Sequence, residues 1–361
     1  MTVSILQGDA LARLRELPDE SVQCCVTSPP YWGLRDYGTP GQLGLGRTPE
    51  EYVAQMVGVF AEVRRVLAGD GTLWLNLGDS YAGSWGAQSR GSFTEGALQG
   101  RSVLSARQIV SHPHGTLTGS KTKTPGLKQK DLVGIPWMVA FALRADGWYL
   151  RQDIIWSKPN PMPESVRDRC TKAHEYVFLL TKSRRYYFDA DAIAEDVSDA
   201  TVARMSQPTL DEQHGSERVP GKTNGTMKAV LKRSGNKARK PASARGVPVD
   251  TDGSTNGAVA GSVPWEGATR NKRSVWTIAA QPFKGVHFAT FPPKLIEPMV
   301  KAGCPVGGTV LDPFGGAGTT GLVADRLGRN AILIELNPDY CEMARARILD
   351  DAPLLNAEVT P

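Results

Sequence analysis

Asp312-Pro313-Phe314-Gly315-Gly316-Ala317-Gly318-Thr319-Thr320 leaves one apolar, strand-like run, Thr309–Leu311, and enters a helical one, Thr319–Leu327. Glycines at a strand-to-helix turn leave backbone N–H groups free and let a ligand come close to the main chain. Their spacing, at 315, 316 and 318, is not that of a dinucleotide GxGxxG, and no lysine follows as a phosphate-binding P-loop requires. About twenty residues on, Glu335 ends the next apolar run, Ala331–Glu335, where an acid is placed to accept hydrogen bonds from ribose hydroxyls. The pair points to a cofactor that carries a nucleoside but makes no demand for phosphate contacts. Strand, helix, strand at this spacing is a βαβ unit, so the fold is α/β with a sheet that is at least partly parallel. Helices are expected on either side of the unit, at Pro292–Ala302 and from Pro338.

Toward the N-terminus the chain reads as a strand at Val3–Gln7, then Gly8-Asp9, a helix at Ala10–Leu17 broken by Pro18-Asp19, and a buried strand at Val22–Val26. That strand runs into Thr27-Ser28-Pro29-Pro30-Tyr31-Trp32. Two prolines stiffen this turn and remove N–H donors, so the carbonyls before them can face a ligand. Ser28 adds an acceptor oxygen, and Tyr31 and Trp32 add flat faces for stacking. A planar, amine-bearing substrate suits that set. Between the two turns the pattern predicts a helix at Pro49–Leu67 closed by Gly69-Asp70-Gly71, a strand at Thr72–Leu77 and a helix at Leu132–Ala145. Strands are expected at Trp148–Trp156 and His174–Lys182, with order resuming near Ser274–Trp276.

Charge is unevenly spread. Residues 82–130 hold seven basic residues against Glu95, and residues 201–275 hold thirteen against six acids, while the whole chain carries only +5. An acidic body with two basic inserts suits an enzyme whose loops bind a polyanion. Arg218 to Val249 contains no acid at all. No run of about 18 uncharged apolar residues and no basic-then-apolar leader is present, which predicts a cytoplasmic enzyme without a membrane partner. The five cysteines (Cys24, Cys25, Cys170, Cys304, Cys341) form no CxxC pair and suit a reducing compartment. His112-Pro113-His114 lacks a third ligand at a useful spacing, so no metal site is expected.

These motifs resemble those of the amino-group DNA methyltransferases, with Ser28-Pro29-Pro30-Tyr31 as the catalytic tetrapeptide and Asp312 to Thr320 as the cofactor motif. The catalytic motif comes first, which resembles the permuted β-class order. Gly8-Asp9 with Leu17-Pro18-Asp19 also match, as do Ile155-Trp156-Ser157-Lys158-Pro159-Asn160, His174-Glu175 through Lys182, and His287-Phe288-Ala289-Thr290-Phe291-Pro292. The likeness covers roughly 1–81, 131–190 and 276–349. It implies a circularly permuted, Rossmann-like α/β fold with a mostly parallel, twisted sheet and basic inserted regions. Residues 1–190 would be the catalytic half with the insert 82–130, residues 191–275 a target-recognition region, and residues 276–361 the cofactor-binding half.

The resemblance also implies roles. Asp312, Phe314, Gly315, Gly316, Gly318, Thr319 and Thr320 would hold the methionine end of S-adenosylmethionine. Glu335 would lie at the ribose, Asp9 at the adenine amino group, and Phe291 over the cofactor, with Asn337 also in the cofactor-binding set. Ser28 and the Pro29 carbonyl would accept from the target amine, with Tyr31 stacked on the base. Trp32 beside the catalytic turn and, on the charge of the second insert and not on the resemblance, Lys222, Lys228, Lys232, Arg233, Lys237, Arg239 and Lys240 would contact double-stranded DNA. Ser28 is the cytosine-type choice, so N4 of cytosine is preferred; N6 of adenine and a catalytically inactive DNA-binding protein are the alternatives. A cognate restriction endonuclease and a second copy of the chain stay open as partners. One cofactor joining Gly316, Glu335 and Asp9 requires Val3–Gln7 to lie parallel to and beside Ala331–Glu335, with the last helix across both and a right-handed connection.

Overall fold

The computed structural model describes residues 1–33, 41–46, 48–82, 126–200, 203, 269–281, 291–351 and 358–360. The expectations for insert residues 83–125, for Lys222 through Lys240 and for His287 through Thr290 lie outside the described residues. The chain divides into two units, Met1–Tyr187 together with Ser274–Pro361, and Phe188–Arg273.

The first unit opens with β1 (Thr2–Gln7) and α1 (Ala10–Glu16), whose first turn is capped by Asp9 Oδ1 accepting from the Ala12 N–H at 2.9 Å. β2 (Val22–Thr27) is followed by α2 (Pro49–Val66), which Thr48 caps in the same way through the Glu51 N–H at 3.1 Å. Acids in the first turn of α2 and arginines in its last complement the helix dipole. Tyr52, Met56, Val59, Phe60, Val63 and Val66 recur at helical spacing and are buried, so this face of α2 lies in the core. Next come β3 (Leu67–Leu77), α3 (Ile135–Ala145), β4 (Tyr149–Ser157) and β5 (His174–Thr181).

In the second unit, β6 (Glu195–Asp196) pairs antiparallel with β7 (Thr269–Arg270). Glu195 there faces Arg273 at 3.1 Å, Lys272 at 3.4 Å and Arg270 at 3.6 Å. The first unit resumes with β8 (Val275–Thr277), α4 (Pro293–Gly303), β9 (Thr309–Asp312), α5 (Thr319–Arg326), β10 (Asn330–Glu335), α6 (Pro338–Asp351) and β11 (Glu358–Thr360).

The sheet runs in the order β11-β1-β10-β9-β2-β3-β5-β4-β8. β5 is antiparallel to both neighbours, and every other pairing is parallel. β1 lies beside β10 in parallel register from Val3↔Ala331 to Gln7↔Glu335, and α6 packs on both strands. This is the adjacency that the permuted order demands.

Two features depart from the sequence reading. β3 starts at Leu67 rather than Thr72, because Val22 pairs with Leu67 before the register slips to Cys24↔Thr72. The intervening bulge is held from the far side: the carbonyls of Gly69, Asp70 and Gly71 accept from Ser183 Oγ (2.6 Å), the Tyr187 N–H (2.9 Å) and the Lys182 N–H (3.3 Å). Gly69-Asp70-Gly71 therefore closes α2 from inside a strand. β11, which the sequence did not suggest, adds itself to the outer edge of β1. Cys24 and Cys25 are fully buried, as core packing requires.

Candidate active site

Parallel strands deliver their C-terminal ends to one edge of the sheet, and antiparallel β5 delivers its beginning to the same edge. Asp9, Glu335, Asp312, Ser28, Asn76, Glu175 and Lys158 consequently stand in a row, in the strand order β1-β10-β9-β2-β3-β5-β4. At about 4.8 Å per strand, Asp9 and Ser28 are separated by roughly 14 Å.

On the β9 and β10 side the groups are acidic. Asp312 is 1% exposed; its Oδ1 accepts from Thr27 Oγ1 at 2.7 Å and from the Phe314 N–H at 3.1 Å, and its Oδ2 from Thr320 Oγ1 at 2.6 Å. Burial outweighs these donors and pushes the Asp312 carboxyl up to about 6. Glu335 reaches back over the glycine turn, accepting from the Gly316 N–H and the Asn337 N–H, each at 2.8 Å, and burial raises its carboxyl too. The turn itself is fixed by the Gly315 N–H on the Ile334 carbonyl at 2.8 Å. Gly318, at φ +74°, sits where a Cβ would lie 2.8 Å from that of Ala344, so only glycine fits.

Several expected ligand residues are committed to the protein instead. Thr320 is fully buried and latches Asp312, and Thr319, 4% exposed, accepts from Arg347 at 2.8 Å. Both hydroxyls tie α5 to a neighbour, which leaves only the main chain of these residues for the expected contact with the methionine end. Asn337 caps α6, its Oδ1 accepting from the Asp339 N–H at 2.8 Å. Phe314 is half-buried beside the turn, and Phe291, also half-buried, leads into α4. Asp9 is exposed and uses Oδ1 for its cap, leaving Oδ2 without a partner among the described residues.

Three carboxylates on three adjacent strand ends form an acceptor set. It fits a ligand that carries sulfonium and ammonium cations, a ribose diol and an aminopurine.

On the β2 side, Ser28 Oγ donates to the Tyr31 hydroxyl at 3.3 Å, and that hydroxyl donates to Glu175 Oε2 at 2.8 Å. Asn76 braces the pair from below: its Oδ1 is 3.2 Å from the Tyr31 hydroxyl, and its Nδ2 donates to Glu175 Oε2 at 3.2 Å and the Tyr176 carbonyl at 3.0 Å. Lys158 forms an ion pair with the other Glu175 oxygen and lies 4.1 Å over the Trp156 ring. Burial and the adjacent Glu175 push the phenol of Tyr31 well above its usual range, so it stays neutral. Gly78 makes room for it, since a Cβ there would lie 2.4 Å from Tyr31 Cε2. The Pro30 carbonyl is taken by the Tyr52 hydroxyl at 2.9 Å. Ser28 and the Pro29 carbonyl accept from no protein group among the described residues and are available to a substrate amine.

Trp32 is not where the sequence reading put it. It is 2% exposed, with its indole N–H on the Gly46 carbonyl at 3.0 Å, and it packs in the core with Tyr52 and Met56. An aromatic next to a turn fills whichever apolar space lies beneath it; here that is the α2 face, and no ring face is left for DNA. Sequence reasoning missed the brace as well. Glu175 lies 144 positions from Tyr31 and Asn76 lies 45, and no local pattern joins residues that meet only across strands.

An acceptor row abutting a rigid Ser-Pro-Pro-Tyr turn suits methyl transfer to an amine. The chain belongs to the N6/N4 DNA methylases: the family model described as DNA methylase matches residues 22–346. It is 41% identical over 346 residues to the Type II methyltransferase M.XycI of Xanthomonas campestris pv. cyanopsidis, covering 96% of this chain and 87% of that one. It is 39% identical to M.SmaI of Serratia marcescens, covering 96% and 90%. Among solved structures, the fold matches PvuII DNA methyltransferase (cytosine-N4-specific) with a TM-score of 0.54 at 18% identity, over 99% of this chain and 95% of that one. It also matches TTHA0409 of Thermus thermophilus, solved with S-adenosyl-L-methionine, with a TM-score of 0.53 at 21% identity over 100% of both chains.

Proposed function

We propose that this DNA methyltransferase acts on N4 of cytosine in a specific duplex sequence. The observation that carries the reading is the neutral acceptor pair at the end of β2, Ser28 Oγ and the Pro29 carbonyl, steadied by the Tyr31–Glu175–Asn76 brace. An aryl amine is a poor nucleophile because its lone pair is delocalised into the ring. Acceptors fixed on its hydrogens favour a pyramidal nitrogen whose lone pair faces the donor, which is orientation and electrostatic pre-organisation without a covalent intermediate. Bound S-adenosylmethionine supplies the electrophilic methyl. Asp9, Glu335 and the Gly316 turn would hold its nucleoside, and Asp312 would lie toward its cationic end.

The base is flipped from the stack to reach this edge, at a cost of about a few kcal/mol. Serine at the head of the tetrapeptide and the cytosine-N4 specificity of the PvuII enzyme, which shares the fold, both support cytosine. Residues 191–275 are assigned to target recognition, with Lys222, Lys228, Lys232, Arg233, Lys237, Arg239 and Lys240 on phosphates. The Type II relatives support a cognate restriction endonuclease acting at the same sequence. No helix among the described residues is long and apolar enough to cross a membrane, in keeping with work on DNA in the cytoplasm. DNA methylated by the protein, digested to nucleosides and weighed, should yield 4-methylcytosine; 6-methyladenine would overturn the choice of base.

A further inference from the structure

A single exposed apolar side chain on a protein surface needs no explanation. Met162 differs in how it is presented. It is 83% exposed, the most of any large apolar side chain among the described residues. It sits in Pro159-Asn160-Pro161-Met162-Pro163, where three prolines fix φ and leave little backbone freedom to lose. Both legs of the loop are pinned. On the outgoing leg, Asn160 exchanges two hydrogen bonds with the Ala280 backbone at 3.0 and 2.9 Å, and the Lys158 N–H donates to the Ala173 carbonyl at 2.8 Å. On the return leg, Arg169 lies 4.0 Å over the Tyr81 ring, Lys130 pairs with Asp168 at 2.6 Å, and Lys172 Nζ donates to the Asp79 carbonyl at 3.2 Å. A loop braced this heavily could have buried its methionine, yet it holds the side chain out at a tip.

The location adds meaning. The loop leaves β4, three strand spacings or roughly 14 Å from β2, and enters β5, two spacings from it, at the same sheet edge as Ser28. Lys158, Arg169 and Lys172 are engaged within the protein by Glu175, Glu164 and the Asp79 carbonyl, whereas Arg167 is exposed on the loop and suits a phosphate near the tip.

We infer that Met162 is a wedge that enters the base stack of duplex DNA and fills the gap left by the flipped nucleotide. Apolar side chains, methionine among them, are the ones that intercalate at base steps, and emptying a stack without filling it forfeits contacts on both faces. The inference rests on duplex DNA being the substrate, but not on which base is methylated.

The test is single-turnover methyl transfer on a duplex bearing the site mapped in methylated DNA, and on the same duplex with the target base opposite an abasic position. Met162→Ala should slow the matched duplex by about tenfold or more, because flipping now goes uncompensated. It should regain the wild-type rate on the abasic duplex, where flipping is already easy. Met162→Leu, which keeps an apolar wedge, should stay close to wild type on both. A 2-aminopurine at the target position should lose its flipping signal in Met162→Ala alone. Equal slowing on both duplexes, or no slowing, overturns the wedge. Adenine as the methylated base would overturn the proposed specificity and leave this comparison intact, whereas a wild-type protein that methylates no duplex would end both.

Discussion

Asp312 is enclosed by two threonine hydroxyls and one amide, and its carboxyl still sits at about 6 in the folded protein, against 3.8 as its ordinary value. Between those values the folded state keeps a proton that the unfolded chain has lost. The contribution of this group to stability is therefore present below about pH 4 and falls as pH rises through about 6, by an amount on the order of 3 kcal/mol. Glu335 shifts in the same direction, so the wild-type curve alone does not isolate the effect. Urea unfolding of wild type and Asp312→Asn should do so: their difference in stability should change between pH 4 and pH 6.5 and be flat above pH 7. A constant difference across that range would show that burial does not perturb Asp312.

At the scale of elements, the two proposed subsites occupy different strand ends, with the turn assigned to substrate on β2 and the acids assigned to cofactor on β1, β9 and β10. Tyr31→Ala should therefore weaken binding of the target DNA by about 1–3 kcal/mol, as expected for the loss of base stacking, while the affinity for S-adenosylmethionine is nearly kept. Asp312→Ala and Glu335→Ala should lose cofactor affinity first. Calorimetry with cofactor and anisotropy with labelled duplex separate these outcomes; equal cofactor loss in both sets would mean the subsites are misplaced. The strand ends themselves were legible in the sequence. Glu335 and the Gly315–Gly318 turn announce a βαβ unit, and the need to serve one nucleoside is enough to place β1 beside β10. What escaped was decided across the sheet. The bulge in β3 depends on donors from Lys182, Ser183 and Tyr187, the burial of Trp32 depends on the face of α2, and the brace on Tyr31 draws on β3 and β5. Local periodicity carries no information about such partners.

At the scale of the whole molecule, the acidic body is assigned the chemistry and the acid-free run from Arg218 to Val249 is proposed to bind the polyanion. Replacing the basic residues of 222–245 with neutral ones should weaken binding to every DNA sequence alike and flatten the dependence of log affinity on log salt, by nearly one unit of slope for each phosphate no longer neutralised. An unchanged slope would remove this segment from the DNA-binding surface.

The pairing of β1 between β10 and β11 bears on how the chain is made. The Thr2 N–H donates to Asn330 Oδ1 across 328 positions, and β1 has neither sheet neighbour until β10 and β11 have been made. Loops must close over nearly the full length before those pairings repay their entropy, and topologies of such high contact order fold slowly. During synthesis β1 waits at the ribosome as an unpaired apolar strand, a species prone to sticking to itself. A polypeptide made only as far as β9 lacks the strand that brings Glu335 beside Asp9, so the proposed cofactor site is complete only after β10 has been made.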